Sequence, residues 1–266
     1  MLIDALWLNV SPSLKKLDEP LLNHLSQRLT IAQWEYLQDP DEANSIFIAM
    51  SLLNGYLEQL SEPVHLLGHG TGGLLGLMYA RRYPEKIRSL TLLGVGVYPA
   101  IDWQAHYYFK LQMLPCSRHL VLGMMVQSLF GYQSGELRQE FIEILDQDLK
   151  TSLCSHNLYR QLKIFPGGVL MPLLVCGSEN DVVVDQNSYQ GWQTWLKPGD
   201  RLRQFPLGRY FFHYFYPQAV GKAILDYWSD LPNQIELKQS PIGNKNHNII
   251  PGTYYNFKYG NNFTAN

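Results

Sequence analysis

The sequence predicts an α/β protein with a mostly parallel sheet, helices on both faces and an inserted helical cap. Short apolar runs alternate with segments of helical periodicity through the first hundred residues, as expected for strands joined by crossover helices. Residues 99–168 then carry only helical periodicity, and the strand pattern returns after them. The sequence therefore predicts one core divided by a cap.

Strands and helices alternate in the first part of the chain. Asp18, Glu19 and Pro20 favour a helix start, because acidic residues and proline are enriched in the first turn. The segment 89–97 is nearly all apolar and is predicted to be a strand in the middle of the sheet. The predicted order is strand 5–10, helix 18–29, strand 31–36, helix 46–60, strand 64–67, helix 72–82 and strand 89–97.

The later part of the chain completes the core and adds a tail. Strands are predicted at 173–176 and 202–206 and a last helix at 217–228. Residues after 231 are rich in asparagine and lack apolar periodicity, so we expect a largely disordered tail. The predicted organisation is a core of residues 1–98 and 169–231, a cap of 99–168 and a tail of 232–266.

Charge and composition exclude several classes of partner. The formal net charge is −2, from 21 basic and 23 acidic residues without long runs, which argues against nucleic acid or an anionic membrane recognised by bulk charge. The first residues have no basic head and are too few to span a bilayer. We expect a soluble protein of the cytoplasm or plastid stroma. No cofactor is predicted, and no metal, since His106 and His119 have no ligand-like spacing.

The most specific motif is Val64-His65-Leu66-Leu67-Gly68-His69-Gly70-Thr71-Gly72-Gly73-Leu74-Leu75, a strand, a glycine-rich turn and a helix in succession. It resembles a nucleophile elbow, in which small residues stand two positions before and after a Ser, Cys or Asp nucleophile. Gly68 and Gly72 meet that demand. The nucleophile position is Gly70, which has no side chain and cannot attack a carbonyl.

On this motif and its order of elements the chain is identified as a member of the α/β-hydrolase superfamily, similar to its cap-bearing esterases and lipases over residues 1–231. The resemblance implies an oxyanion hole at Asn9, Val10 and Ser11, with a second amide from Thr71. It assigns the acid position to Asp181 in Gly177-Ser178-Glu179-Asn180-Asp181. The histidine position falls on Arg209 or Tyr210, depending on one residue of slack.

Two of the three triad positions therefore depart from the family. An arginine cannot act as a base at neutral pH, and His213 is the one nearby residue that could replace the missing histidine. Neuroligins, on the same fold, carry glycine at the nucleophile position and work by adhesion. The segments 102–108, 177–184 and 211–215 also resemble a cyanobacterial and plastid-type branch of the superfamily.

Alternative interpretations of the same residues remain open. The glycine-rich turn could cradle a phosphate at a helix N-terminus. His69 could be a base or a core residue, Thr71 a displaced nucleophile, and Asp181 a turn residue.

The leading functional hypothesis is a non-catalytic homologue that binds a small apolar ligand or a protein partner between core and cap. The second is a hydrolase of ester or acyl substrates that uses Asp181 and His213 to activate water. The third is a scaffold subunit that docks through the tail.

Overall fold

The computed structural model describes residues 3–38, 41, 44–154, 156, 162–231 and 249–250. Its six main strands are β1 (Ala5–Asn9), β2 (Ile31–Glu35), β3 (Val64–His69), β4 (Ile87–Leu93), β5 (Leu173–Ser178) and β6 (Arg201–Phe205). They form a parallel sheet in the order β6-β5-β4-β3-β1-β2. The two-residue strand Ile249–Ile250 (β7) pairs with the outer side of β2. Otherwise, the predicted tail lies outside the described residues.

Helices cover both faces of the sheet, as predicted. The helices are α1 (Lys15–Ser26), α2 (Ile46–Leu57), α3 (Gly70–Arg82), α4 (Trp103–Met113), α5 (Arg118–Phe130), α6 (Gly135–Thr151), α7 (Gln186–Gln190), α8 (Phe212–Phe215) and α9 (Pro217–Ser229). Leu6 and Leu8 of β1 belong to one core cluster, together with side chains from α2, α3 and the helices after β4. Ala5 and Trp7 point to the other face, where α1 and α9 pack.

Several predicted boundaries are wrong, among them the start of the first helix and the end of the central strand. The first helix begins at Lys15, so the predicted start, Asp18, lies inside it. Asp18 does not cap the helix, since its carboxylate bonds to the side chains of Trp7 and His213 in the core. The central strand ends at Leu93 rather than at residue 97, because Gly94 turns the backbone with a φ of +64°. Both errors arise where tertiary contacts override local sequence preference.

The segment between β4 and β5 contains three consecutive helices, α4, α5 and α6. The N-terminus of α4 lies directly over the start of α3, because the Thr71 hydroxyl donates to the carboxylate of Asp102, the residue that caps α4. The helical segment therefore covers the carboxyl end of β3, where the elbow is. None of the helices in the described ranges is long and apolar enough to cross a membrane.

Candidate functional site

The elbow is built by β3 and α3, which follow each other without an intervening loop. His69 ends the strand with an extended backbone, and Gly70 begins the helix with a φ of +51°. A residue with a Cβ is strained in this left-handed conformation, whereas glycine is not. The structure therefore shows at Gly70 the backbone geometry that the motif predicts for a nucleophile.

The flanking glycines are required by close packing. A Cβ on Gly68 would lie 2.7 Å from the carbonyl carbon of Gly72, and a Cβ on Gly72 would lie 2.4 Å from the backbone oxygen of Leu8. Both distances are shorter than any real carbon contact. The elbow can thus form only with glycine at these two positions.

Tyr210 occupies the space beside Gly70. A Cβ on Gly70 would lie 2.3 Å from the Tyr210 hydroxyl oxygen, so the phenol stands where a nucleophile side chain would begin. Tyr210 is 1% exposed. Burial raises its pKa well above 10, opposed by a hydrogen bond from the backbone N–H of Trp103, the first residue of α4. A neutral phenol held by the cap therefore fills the site.

Arg209, the other candidate for the histidine position, turns away from Gly70. Its backbone φ is +52°, and its N–H donates to Asn180 Oδ1 at 2.9 Å. The guanidinium reaches the cap, where Nη1 donates to the Ser128 carbonyl at 3.2 Å. Of the two residues, the one that faces the elbow is Tyr210.

Asp181 lies in a turn after β5 and is 5% exposed. Its Oδ1 accepts from the backbone N–H groups of Val183 at 2.8 Å and Val184 at 3.2 Å, and its Oδ2 accepts from the Tyr189 hydroxyl at 3.2 Å. Burial raises the pKa of Asp181 to about 7, while these hydrogen bonds lower it. The hydrogen bonds of this carboxyl are those of a residue that organises the turn.

His213 is fully buried and bonds to a different aspartate. Its Nε2 lies 3.0 Å from Asp18 Oδ1, and the indole N–H of Trp7 donates to Asp18 Oδ2 at 3.2 Å. Burial lowers the pKa of His213 to about 3 and raises that of Asp18 to about 7. In the described part of the chain, the structure therefore pairs His213 with Asp18 and Asp181 with Tyr189, and it forms no hydrogen bond between His213 and Asp181. Sequence reasoning missed Asp18.

His69 is held between the elbow and this pair. Its Nε2 lies 2.8 Å from the Tyr210 carbonyl and so carries the proton of that hydrogen bond, and its ring lies 4.5 Å from that of His213. Burial lowers the pKa of His69 to about 3. These contacts favour the interpretation of His69 as a core residue.

The predicted oxyanion groups surround a very small cavity. Asn9, Val10, Ser11 and Thr71 all line it, yet the Ser11 N–H already donates to Asn9 Oδ1 at 2.8 Å. The cavity volume is about 20 Å³, close to the minimum that holds one water molecule. An acyl group does not fit there.

A buried carboxyl, Asp148 of α6, joins the cap to the core. It accepts from Gln104 Nε2 at 3.0 Å and from the hydroxyls of Ser152 and Ser11. Burial raises its pKa to about 7, and those hydrogen bonds lower it. Gln104 belongs to α4 and Ser11 to the turn after β1, so a single carboxyl connects three elements.

This carboxyl predicts a pH dependence of stability. Because the pKa of Asp148 is raised in the folded state, its contribution is fully present below the unfolded value of 3.8 and is lost as pH rises towards 7. Asp148→Asn removes this titration. The difference in unfolding free energy between wild type and variant should therefore shrink by about 1 kcal/mol per pH unit between pH 4.5 and 6.5. Urea unfolding at several pH values measures it, and a constant difference would contradict it.

In the described ranges, no group of three or more His, Cys, Asp or Glu residues could hold a metal ion. The contacts described above together give an elbow covered by the cap, with glycine at the nucleophile position and tyrosine in the space beside it.

Comparisons with known proteins agree with this architecture. The model of the alpha/beta hydrolase fold family matches residues 60–150. The naproxen esterase (carboxylesterase NP) of Bacillus subtilis is 13% identical, with a TM-score of 0.63 over 85% of this chain and 83% of that one. An esterase from Exiguobacterium antarcticum is 16% identical, with a TM-score of 0.60 over 85% and 91%. These likenesses show the fold.

Two cyanobacterial relatives are much more similar in sequence. The uncharacterized protein sll0249 of Synechocystis sp. (strain ATCC 27184 / PCC 6803 / Kazusa) is 47% identical over 229 residues, which cover 86% of this chain and 91% of that protein. The uncharacterized protein alr2406 of Nostoc sp. (strain PCC 7120 / SAG 25.82 / UTEX 2576) is 44% identical over 85% and 90%. The chain belongs to the α/β-hydrolase superfamily, in the same family as these two cyanobacterial proteins.

Proposed function

We propose that the chain is a non-catalytic α/β-hydrolase homologue that binds a small molecule between its core and its cap. The observation that carries the proposal is the pair of Gly70 and Tyr210. The nucleophile position has no side chain, and a buried phenol fills the space where one would begin. Serine-hydrolase chemistry requires an attacking side chain and a base beside it, and this pair supplies neither.

The contacts of Asp181 and His213 do not favour the alternative, a hydrolase that activates water with these residues. A general base must lie within hydrogen-bond reach of the water that it activates, and a partner must orient it. His213 is oriented by Asp18 and has no exposed surface, while Asp181 is engaged by two backbone amides and Tyr189.

Binding between core and cap is supported by a second cavity. It has a volume of about 260 Å³ and lies between the cap helices α4 and α5, the turn after β5 and Arg209. It shares no lining residue with the elbow cavity. Ligand sites are often clefts of a few hundred Å³ between two parts of a fold, so this cleft suits a small ligand.

Loss of catalysis is tested with short-chain p-nitrophenyl esters and a fluorophosphonate probe. We expect the wild type to hydrolyse no ester above the buffer rate and to remain unlabelled. The variant Gly70→Ser/Tyr210→His should become labelled, since it regains a nucleophile and a histidine. Ester turnover by the wild type that falls on Asp181→Asn or His213→Ala would overturn the proposal and establish the water-activating hydrolase.

A further inference from the structure

The lining of the core–cap cleft includes three basic side chains. Arg209, Lys110 of α4 and His106 of α4 line it, and its lining includes no carboxylate. Its apolar lining comes from Met125 and Val183, which are almost fully buried, and from the more exposed Val182.

The two formal cations of the cleft are not neutralised by ion pairs. Neither Lys110 nor Arg209 forms a salt bridge with a residue in the described ranges, and the only acceptor found for the Arg209 guanidinium is a backbone carbonyl in the cap. Burial raises the pKa of Asp181 and the positive charge of Arg209 lowers it, but the two side chains do not form a salt bridge. The carboxyl oxygens of Asp181 instead accept hydrogen bonds from backbone amides and from Tyr189. Lys110 and Arg209 thus both line the cleft without a salt bridge to a residue in the described ranges.

His106, the third basic residue of the cleft, differs from Lys110 and Arg209 in its charge. Burial lowers its pKa, while Asp102, Asp185 and a hydrogen bond to the Val183 backbone raise it. With a lowered pKa the imidazole is neutral at pH 7. The positive charge of the cleft at neutral pH therefore comes from Lys110 and Arg209.

Arg209 has a left-handed backbone conformation, which is energetically unfavourable for a residue with a side chain. A bulky residue at a φ of +52° is strained by about 1 kcal/mol or more. The bonds of Arg209 to Asn180 and to the Ser128 carbonyl fix this geometry and turn the guanidinium towards the cap. The cationic group is thus preorganised, which lowers the entropic cost of binding an anion.

We infer that this cleft binds a small amphipathic anion, with its charged group at Lys110 and Arg209 and its apolar part against Met125 and Val183. The inference rests on the proposed function and names its ligand class. Charge-assisted hydrogen bonds to arginine and lysine favour a carboxylate or phosphate, and the buried apolar lining favours a short hydrocarbon chain or ring. Neither the cations nor the apolar lining requires a catalytic residue at position 70.

The inference is tested by calorimetric titration of the full chain with octanoate, with octanamide as a neutral molecule of the same chain length, and with inorganic phosphate as a charge alone. We expect octanoate to bind at least tenfold more tightly than either of the others. Lys110→Met and Arg209→Gln should each weaken octanoate binding by about fivefold to tenfold. Lys16→Met, an exposed lysine of α1 outside the cleft lining, is the matched control and should change nothing.

The outcomes separate this inference from the proposed function. Equal binding of octanoate and octanamide, lost on Val183→Asp, would overturn the anionic ligand but leave a non-catalytic binding protein. Phosphate binding as tight as octanoate binding would overturn the apolar part. Octanoate binding that is absent, or unchanged in both Lys110→Met and Arg209→Gln, would overturn the inference, while the ester and fluorophosphonate tests decide catalysis independently. Because Arg209 also bonds to the cap, Lys110→Met keeps the test valid if Arg209→Gln fails to fold.

Discussion

Placing a serine at position 70 is expected to destabilise the protein by about 2–5 kcal/mol. A serine Cβ would overlap the Tyr210 hydroxyl, and overpacking a buried site costs about 1–3 kcal/mol. The φ of +51° adds strain of about 1–2 kcal/mol. Urea unfolding of Gly70→Ser measures the sum. The steric part should vanish in Gly70→Ser/Tyr210→His. The loss of unfolding free energy in this double variant should therefore be smaller than the summed losses of the two single variants by at least about 1 kcal/mol.

Gly199 provides the matched control for the backbone part. It has a φ of +92°, and a Cβ there would meet nothing within 4 Å. Gly199→Ser therefore carries the conformational cost without the overlap, and we expect it to destabilise by about 1–2 kcal/mol. If Gly70→Ser costs no more than Gly199→Ser, Tyr210 does not occupy the nucleophile space, and the main observation behind the proposed function fails.

The elbow could be predicted from the sequence because its requirements are local. Gly68, Gly70 and Gly72 stand at fixed positions between an apolar strand and a helix, and the backbone there admits little else. The fold was predictable for a similar reason, since alternating strand and helix periods in one order leave few topologies. The fold prediction is confirmed by the parallel sheet with helices on its two faces.

The partners of the site residues could not be predicted, because they come from distant parts of the chain. One residue of slack left the histidine position at Arg209 or Tyr210, and only the packing shows that the tyrosine faces Gly70. His213 is paired with Asp18, which is 195 positions away. A signal for Asp18 was present: it precedes Leu21, Leu22 and Leu25 at helical spacing, so it lies on the buried stripe of α1.

The core–cap cleft likewise depends on residues that are distant in the sequence. A helical period between two strands indicates an insertion, but the cleft beneath it depends on where Arg209 and the turn after β5 lie. Lys110 and Arg209 belong to no recognisable sequence motif, so the sequence does not indicate that they line the same cleft. Their common position is visible only once the cap is folded over the core.

Removing the imidazole of His213 is expected to destabilise the protein by about 2–4 kcal/mol without affecting ligand binding. In His213→Leu the buried carboxyl of Asp18 loses one of its two side-chain partners and keeps the hydrogen bond from the Trp7 indole, and breaking one side of a buried polar pair is costly. His119→Leu, the same change at an exposed position of α5, should shift the unfolding free energy by less than about 0.5 kcal/mol.

Replacing both members of the pair distinguishes a structural from a catalytic role. Asp18→Leu/His213→Leu leaves no unpaired carboxyl or imidazole, although the Trp7 indole N–H loses its acceptor. We therefore expect the double variant to be less stable than wild type by only about 1–2 kcal/mol, which is less than the sum of the single changes. The octanoate affinity should stay within twofold of wild type in every variant that folds. A fully additive loss of stability would mean that the two side chains do not act as a pair, and their buried contact would need another explanation.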